Sequence, residues 1–171
     1  WARHGEPVVV EYQQEYFCRL GVVLDTFARS AEDLERLEAA VSTAGSLIER
    51  IAAGEHVLDV FISGNTLYRL QAGRPLTDLP SIMEILACVE ASRQEPFSTV
   101  LAHLLASMQG LSGLVILLLR MDEPRRRFLQ GLQGRGAPLR VLLFDEAASG
   151  EWNETVLPTD PVALGAALAR L

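Results

Sequence analysis

Lysine is absent from this sequence, and cysteine and histidine are scarce. All 15 basic residues are arginines, and they face 22 acidic residues, so the formal net charge is −7. A chain of this charge is repelled by a nucleic-acid backbone, so we expect no nucleic acid among its partners. The two cysteines and three histidines follow no metal-binding spacing. We therefore expect Cys18 and Cys88 to be buried, inert thiols.

Long apolar runs and the common signatures of catalysis are also missing. The longest uninterrupted aliphatic run, from Leu114 to Leu119, is too short to cross a bilayer, so we expect no membrane span here. No glycine-rich loop follows the first predicted strand, which argues against a nucleotide-binding regulator of flavodoxin-like shape. Neither Ser63-Gly64 nor Ser149-Gly150 forms a GxSxG elbow. We expect no cofactor and no resident metal.

The apolar residues that are present follow an alternation of strands and helices. Tyr16 to Asp25 is predicted to be the first core strand, because its short apolar run ends in an aspartate and a polar loop. Ser30 is predicted to cap a helix that extends to Ala53, with Asp33 completing a capping box. One face of this helix is expected to be buried, namely Leu34, Leu37, Val41, Ala44, Ile48 and Ile51. Gly54 is predicted to end the helix with a positive φ.

The later segments complete an α/β domain. Val57 to Ile62 and Leu67 to Leu70 are predicted to form a hairpin around Gly64-Asn65. Further strands are predicted at Leu114 to Leu119, Leu139 to Phe144 and Thr155 to Leu157, with helices between them. This alternation predicts a doubly wound, mainly parallel six-stranded sheet in the order 3-2-1-4-5-6, with Leu67 to Leu70 as an antiparallel edge strand. We expect residues 1–15 to be the extended tail of an upstream domain, and residues 16–171 to be the α/β domain.

Several short stretches carry a family resemblance: Glu11-Tyr12, Leu20 to Thr26, Thr99 to Ala102 and Leu114 to Leu117. Together they resemble the C-terminal von Willebrand factor A-like domain of the bacterial domain-of-unknown-function family 58. The resemblance implies a three-layer, Rossmann-like fold and a non-catalytic protein-binding role. It also implies a cytoplasmic domain of a membrane-anchored bacterial protein that works with a MoxR-type AAA+ ATPase.

In von Willebrand factor A domains, a metal-ion-dependent adhesion site holds a divalent ion through an Asp-x-Ser-x-Ser motif, a later threonine and a later aspartate. Asp25 matches the first aspartate and Thr99 matches the threonine. Phe27 and Arg29 stand where the two serines belong, and Arg120 stands where the later aspartate belongs. Since arginine repels Mg²⁺ and phenylalanine offers it no oxygen, the resemblance implies a degenerate site without metal.

A binding rim is therefore expected at the carboxyl ends of the strands. Its predicted members are Asp25, Thr26, Arg29, Ser98, Thr99 and Arg120. A buried carboxylate is costly unless it is paired, so we predict that Arg120 or Arg29 hydrogen-bonds to Asp25 in place of a metal.

Other interpretations remain open at this point. The same crevice would suit a metal-dependent hydrolase of phosphate esters if several carboxylates converged on Asp25, whereas arginines there would favour binding. Asp122-Glu123 is expected to begin a helix, and Arg125 to Arg127 to lie on a solvated face of it. Trp152 is either an anchor for a partner or a lid over the core.

Overall fold

The computed structural model describes residues 18–54, 56–63, 68–72, 79–145, 152 and 154–169. In chain order the elements are β1 (Arg19–Leu24), α1 (Ala31–Ala53), β2 (Val57–Ile62), β3 (Tyr68–Ala72), α2 (Leu79–Ala87), α3 (Phe97–Ser107), β4 (Gly113–Leu118), α4 (Glu123–Leu132), β5 (Leu139–Leu143), β6 (Glu154–Val156) and α5 (Pro161–Leu168). The tail expected over residues 1–15 and the turn at Gly64-Asn65 lie outside the described residues.

The strands form one sheet in the order β3-β2-β1-β4-β5-β6, which is the order predicted from the sequence. β1 lies parallel to both β2 and β4, with Val23 opposite Phe61 on one side and Ile116 on the other. β5 and β6 continue the parallel arrangement, and β3 is antiparallel to β2. Strand order therefore reverses beside β1, and the carboxyl ends of β1 and β4 meet at that point.

Helices cover both faces of the sheet, which gives three layers. Side chains alternate along β1, so Val22 and Leu24 pack on one face and Val23 on the other. The first face packs against α1, α2 and α5 through Leu37, Ala40, Ala44, Ile48, Ile82, Leu86 and Leu164. The second packs against α3 and α4 through Phe97, Val100, Leu104, Phe128, Leu129 and Leu132. This arrangement confirms the α/β class.

The helix expected from Ser30 to Ala53 is present, with two corrections. Ser30 caps it as expected, since its hydroxyl accepts a hydrogen bond from the Asp33 N–H. Leu34, expected in the core, is 50% exposed, whereas its neighbour Asp33 is fully buried, so the first turn places the aspartate inward in place of the leucine. Gly54 has φ −94°, not a positive value; its N–H bonds to the Ile51 carbonyl, so the helix ends in a tighter turn that needs no left-handed residue.

The cysteine prediction is wrong for Cys88. It follows α2 and is exposed, while Cys18 is half-buried, and both are free thiols. Cys88 comes two residues after Leu86, which faces the core. Two residues turn a helical side chain to the opposite side, and this places the thiol in solvent. Among the described residues, no helix is long and apolar enough to span a bilayer.

Candidate binding site at the carboxyl ends of the strands

The site is built around the loop that follows β1. The Asp25 N–H donates to the Leu117 carbonyl of β4 (3.0 Å), so the aspartate is held directly at the end of the sheet. Two residues later, Phe27 forms a parallel bridge to Ser92 in the loop between α2 and α3. The first loop is thus fixed on both sides, and the Asp25 side chain is fully buried beneath it.

The carboxylate of Asp25 is satisfied by one cation and two backbone groups. Arg125 Nε donates to its Oδ2 at 2.7 Å. The Leu119 N–H donates to the same oxygen (3.1 Å), and the Phe27 N–H donates to Oδ1 (2.8 Å). A cation therefore does occupy the position beside Asp25, as the sequence predicts, but it comes from α4.

Arg125 is equally well satisfied, although its side chain is fully buried. Nη1 donates to Asp122 Oδ2 (2.7 Å) and Nη2 donates to the Phe27 carbonyl (2.6 Å). The rings of Phe27 and Phe97 lie near the guanidinium, each centroid 5.3 Å from Cζ. This distance suits cation–π attraction, which strengthens when the cation is desolvated.

Neither arginine that the sequence favours reaches Asp25. Arg120 Nε binds Asp122 Oδ2 (3.2 Å), and its Nη1 lies 3.7 Å from Asp33 Oδ2. Arg29 is exposed, and its Cζ lies 6.0 Å from the centroid of the Phe27 ring. The choice of Arg120 or Arg29 is wrong because Arg120 turns toward Asp33 and Asp122 and Arg29 is exposed, whereas Arg125 enters from the buried face of α4.

The expectation that Arg125 to Arg127 form a solvated face is likewise wrong for Arg125. Arg125 shares the inner face of α4 with Phe128, Leu129 and Leu132, which are all buried. The spacing of three, four and seven residues is a signal that the sequence carries. A second signal is Asp122, three residues earlier, which caps α4 as expected and pairs with Arg125. Arginines are usually exposed, so a run of three predicts a solvated helix face and outweighs both signals.

Alternating charges extend from this pair to the surface. We call the connected set the rim network; it consists of Asp25, Arg125, Asp122, Arg120, Asp33, Arg36 and Asp145. Each arginine in it contacts two carboxylates of the network. Arg36 also pairs with Glu32 outside the network, and the N–O distances of all these ion pairs run from 2.7 to 3.8 Å. The network ties α1 and α4 to the ends of β1, β4 and β5.

Burial and charge compete in the network. Complete burial raises the pKa of the Asp25 carboxyl, although Arg125 and the two backbone N–H groups oppose that rise. Burial alone would lower the pKa of Arg125, but the charges of Asp25 and Asp122 outweigh it and raise the pKa. Arg125 therefore stays charged.

Asp33 differs in its outcome. Burial would raise the pKa of its carboxyl, but a hydrogen bond from the Arg29 N–H, the charges of Arg120 and Arg125 and a hydrogen bond from the Arg36 side chain lower it instead. Its Oδ2 accepts from the Arg29 N–H at 2.9 Å. In a standard capping box this bond would come from the cap residue, Ser30, so the box is displaced by one residue.

The remaining predicted site residues divide into a buried and an exposed group. Thr26 is fully buried, and both its N–H and its hydroxyl bond to Ser63, so it joins the ends of β1 and β2 and is not open to a ligand. Ser98 and Thr99 are exposed in the first turn of α3. Within the part of the chain that the structure describes, neither hydrogen-bonds to Asp25.

Two other features bear on the site. Trp152 is half-buried and packs against the cluster on the α3–α4 face, as a lid over the core would. Its Nε1 is buried and has no hydrogen-bond partner among the described residues. No group of three or more His, Cys, Asp or Glu side chains suited to a metal occurs in the described ranges.

Comparison with known proteins places the fold. The chain matches no protein-family profile, and no curated protein sequence matches it. Among solved structures it is similar to the SpRpn10 VWA domain, with a TM-score of 0.59 and 12% identity over 91% of this chain and 95% of that one. It is also similar to a von Willebrand factor type A protein from Catenulispora acidiphila, with a TM-score of 0.53 and 11% identity over 90% of this chain and 41% of that one. The chain therefore has a von Willebrand factor A-like fold.

Proposed function

We propose that this chain is a non-catalytic protein–protein interaction module with a degenerate metal-ion-dependent adhesion site. The observation that carries the proposal is the Arg125 guanidinium on Asp25 Oδ2. In von Willebrand factor A domains that position belongs to a divalent ion, held by the aspartate that Asp25 resembles. Here α4 supplies a permanent cation, and the rim is organised without a metal.

The surrounding residues do not fit a divalent ion. Phe27 replaces an oxygen ligand with an aromatic ring, and that ring lies against the guanidinium. Arg120 replaces the later aspartate and forms ion pairs of its own with Asp33 and Asp122. Mg²⁺ requires near-octahedral oxygen coordination, and an arginine within hydrogen-bonding distance of the one carboxylate left would repel it.

The alternative of a metal-dependent hydrolase gains no support from this geometry. Such an enzyme needs several carboxylates converging with Asp25 on one reacting group. Asp122 lies on the far side of the Arg125 guanidinium, and both of its carboxylate oxygens accept hydrogen bonds from Arg125. Arginine at the strand ends is the arrangement that favours binding over catalysis.

The family resemblance supplies the context of the proposal. We propose a MoxR-type AAA+ ATPase as the partner, and a membrane-anchored bacterial protein as the parent, with this domain on the cytoplasmic side. The exposed first turn of α3, with Ser98 and Thr99, and the exposed Arg29 form the accessible part of the rim.

Site-specific photo-cross-linking tests the proposal. A photoreactive residue at Ser98 should capture a protein partner in the cells of origin, and the captured protein should be an AAA+ ATPase. The same residue at the exposed Glu49, near the opposite end of α1, is the matched control and should capture none. Capture only from Glu49, or capture from neither position, would contradict the proposal.

A further inference from the structure

A groove in the protein surface lies beside the rim network. An open groove of about 610 Å³ separates the start of α1 from the loop that follows α2. Its lining includes Ala28, Arg29, Leu34, Ala91 and Arg93. The Ala28 N–H donates to the Ser92 carbonyl (3.0 Å) and the Ser92 N–H donates to the Thr26 carbonyl (2.7 Å), so the two segments that contribute to the lining are joined by backbone hydrogen bonds.

The charge of this groove is positive. Arg29 and Arg93 are both exposed, and neither forms an ion pair with any described residue. Its lining contains no carboxylate among the residues that the structure describes. Arg36, Arg120 and Arg125 are by contrast each paired within the rim network. In a protein of net charge −7, a groove with these two arginines is locally opposite to the overall charge.

A second groove, on the other side of α1, shows that the positive charge is confined to the first groove. That second groove is lined by Glu32, Glu35 and Asp145, with Arg36 as its single basic residue among those described. The two grooves begin at the same turn of one helix and carry opposite charge. A partner segment with acidic residues is attracted to the first groove and repelled by the second.

The first groove also offers an apolar contact. Leu34 is half exposed there although large apolar side chains of the described residues are mostly buried. Ala28, Ala31 and Ala91 leave room around it. An apolar side chain of a partner would cover Leu34, and the two arginines lie within the same groove to meet carboxylates.

We propose that this groove binds an acidic peptide segment of the partner protein, with carboxylates on Arg29 and Arg93 and an apolar side chain on Leu34. The inference rests on the proposed function and adds the chemistry that the partner presents. The two arginines receive the carboxylates directly, a role that suits the guanidinium group.

Peptide selection tests this and does not require the partner to be identified first. A phage-displayed library of short random peptides is selected on the immobilised chain at low salt. The enriched peptides are then synthesised, and their affinity is measured by fluorescence anisotropy. We expect enriched sequences with two or more Asp or Glu residues near a large aliphatic residue, whose binding weakens between about 50 and about 300 mM NaCl because surface charges are screened.

Variants locate the binding. Arg29→Gln with Arg93→Gln should weaken these peptides about tenfold or more, since loss of two surface ion pairs amounts to about one factor of ten in affinity. Arg50→Gln with Arg135→Gln is the matched control, because it removes two exposed arginines at the other ends of α1 and α4. It should change the affinity less than about twofold.

The two kinds of failure are distinguishable. Enriched peptides that are neutral or basic, or acidic peptides indifferent to the Arg29→Gln/Arg93→Gln change, overturn the groove assignment even if photo-cross-linking at Ser98 captures a partner. If the Ser98 cross-link is also absent, the proposed function fails with it. Melting temperatures of both double variants should match that of the unaltered chain, which shows that lost binding is not lost folding.

Discussion

Arg125 is the residue on which the site depends, because it is buried and charged at once. Three of its nitrogens donate to Asp25, Asp122 and the Phe27 carbonyl. Two aromatic rings flank the guanidinium. Removal of one member of such a pair leaves the other charge in a site from which water is excluded, and this is more costly than loss of the pair as a whole.

Arg125→Ala should therefore lower the free energy of unfolding by about 3–5 kcal/mol. Arg127→Ala is the matched control two residues away; Arg127 is 74% exposed and pairs with Glu123 at the surface, so its loss should cost no more than about 0.5 kcal/mol. Urea denaturation of both variants measures the difference. Similar losses for the two would show that Arg125 is not buried against Asp25.

A double-mutant cycle isolates the pair itself. Asp25→Asn and Arg125→Met, made singly and together, should be non-additive by about 0.5–3 kcal/mol, because each single change leaves an unmatched charge that the double change removes. Additivity within measurement error would mean that the two side chains do not interact in solution.

At the scale of elements, α1 shows what an amphipathic pattern predicts well and where it stops. Its inner face holds Leu37, Ala44 and Ile48 in the core, as the three-and-four spacing indicates. Leu34 belongs to the same stripe, but in its turn of the helix the fully buried residue is Asp33. A helical period identifies a face; it does not tell that Asp33, which pairs with Arg36 and Arg120, takes the buried position in the first turn.

Leu37→Ala should thus lower the free energy of unfolding by about 2–5 kcal/mol, because it leaves a cavity under α1. Leu34→Ala, three residues earlier on the same helix, should cost less than about 1 kcal/mol, since its side chain is half in water. Chemical denaturation of the two variants compares them directly. A large loss at Leu34 would indicate that its groove is covered in solution.

Asp33 should make the stability of the folded chain depend on pH. The pKa of its carboxyl is lowered in the folded chain from an ordinary value of 3.8, so folding favours the ionised form. The stabilisation is present above the ordinary value and is lost as the pH falls through the lowered one. Asp33→Asn should reduce stability at neutral pH, and the gap from the unaltered chain should narrow in acid. Denaturant titrations across that pH range measure the difference in unfolding free energy between Asp33→Asn and the unaltered chain. A difference that stays constant into acid would contradict the lowered pKa of Asp33.

The same distinction between a local pattern and its surroundings explains how much of the structure the sequence predicts. Strand positions, their order and the Ser30 cap follow from local patterns together with the right-handedness of crossovers. The need for a cation at Asp25 follows from the cost of a buried carboxylate. Which arginine supplies it depends on how α4 packs against β1 and β4, across a separation of 100 residues, and single-sequence patterns carry that information only weakly.

For the whole molecule, the rim network joins seven side chains drawn from different parts of the chain. It connects α1, α4 and the loops after β1, β4 and β5, so the carboxyl end of the sheet is held by internal charges. Since a cation and its partners are already present in the folded chain, we expect added Mg²⁺ to find no complementary site at Asp25.

Thermal unfolding with and without millimolar Mg²⁺ tests this at the scale of the molecule. A ligand raises the melting temperature only if it binds the folded state in preference to the unfolded one. We expect the melting temperature of the unaltered chain to change by less than about 1 °C when Mg²⁺ replaces NaCl at equal ionic strength. Arg125→Ser removes the competing guanidinium and should melt at a lower temperature, with any recovery by Mg²⁺ confined to that variant. A rise of several degrees in the unaltered chain would show that Mg²⁺ binds the folded state, and it would contradict this expectation.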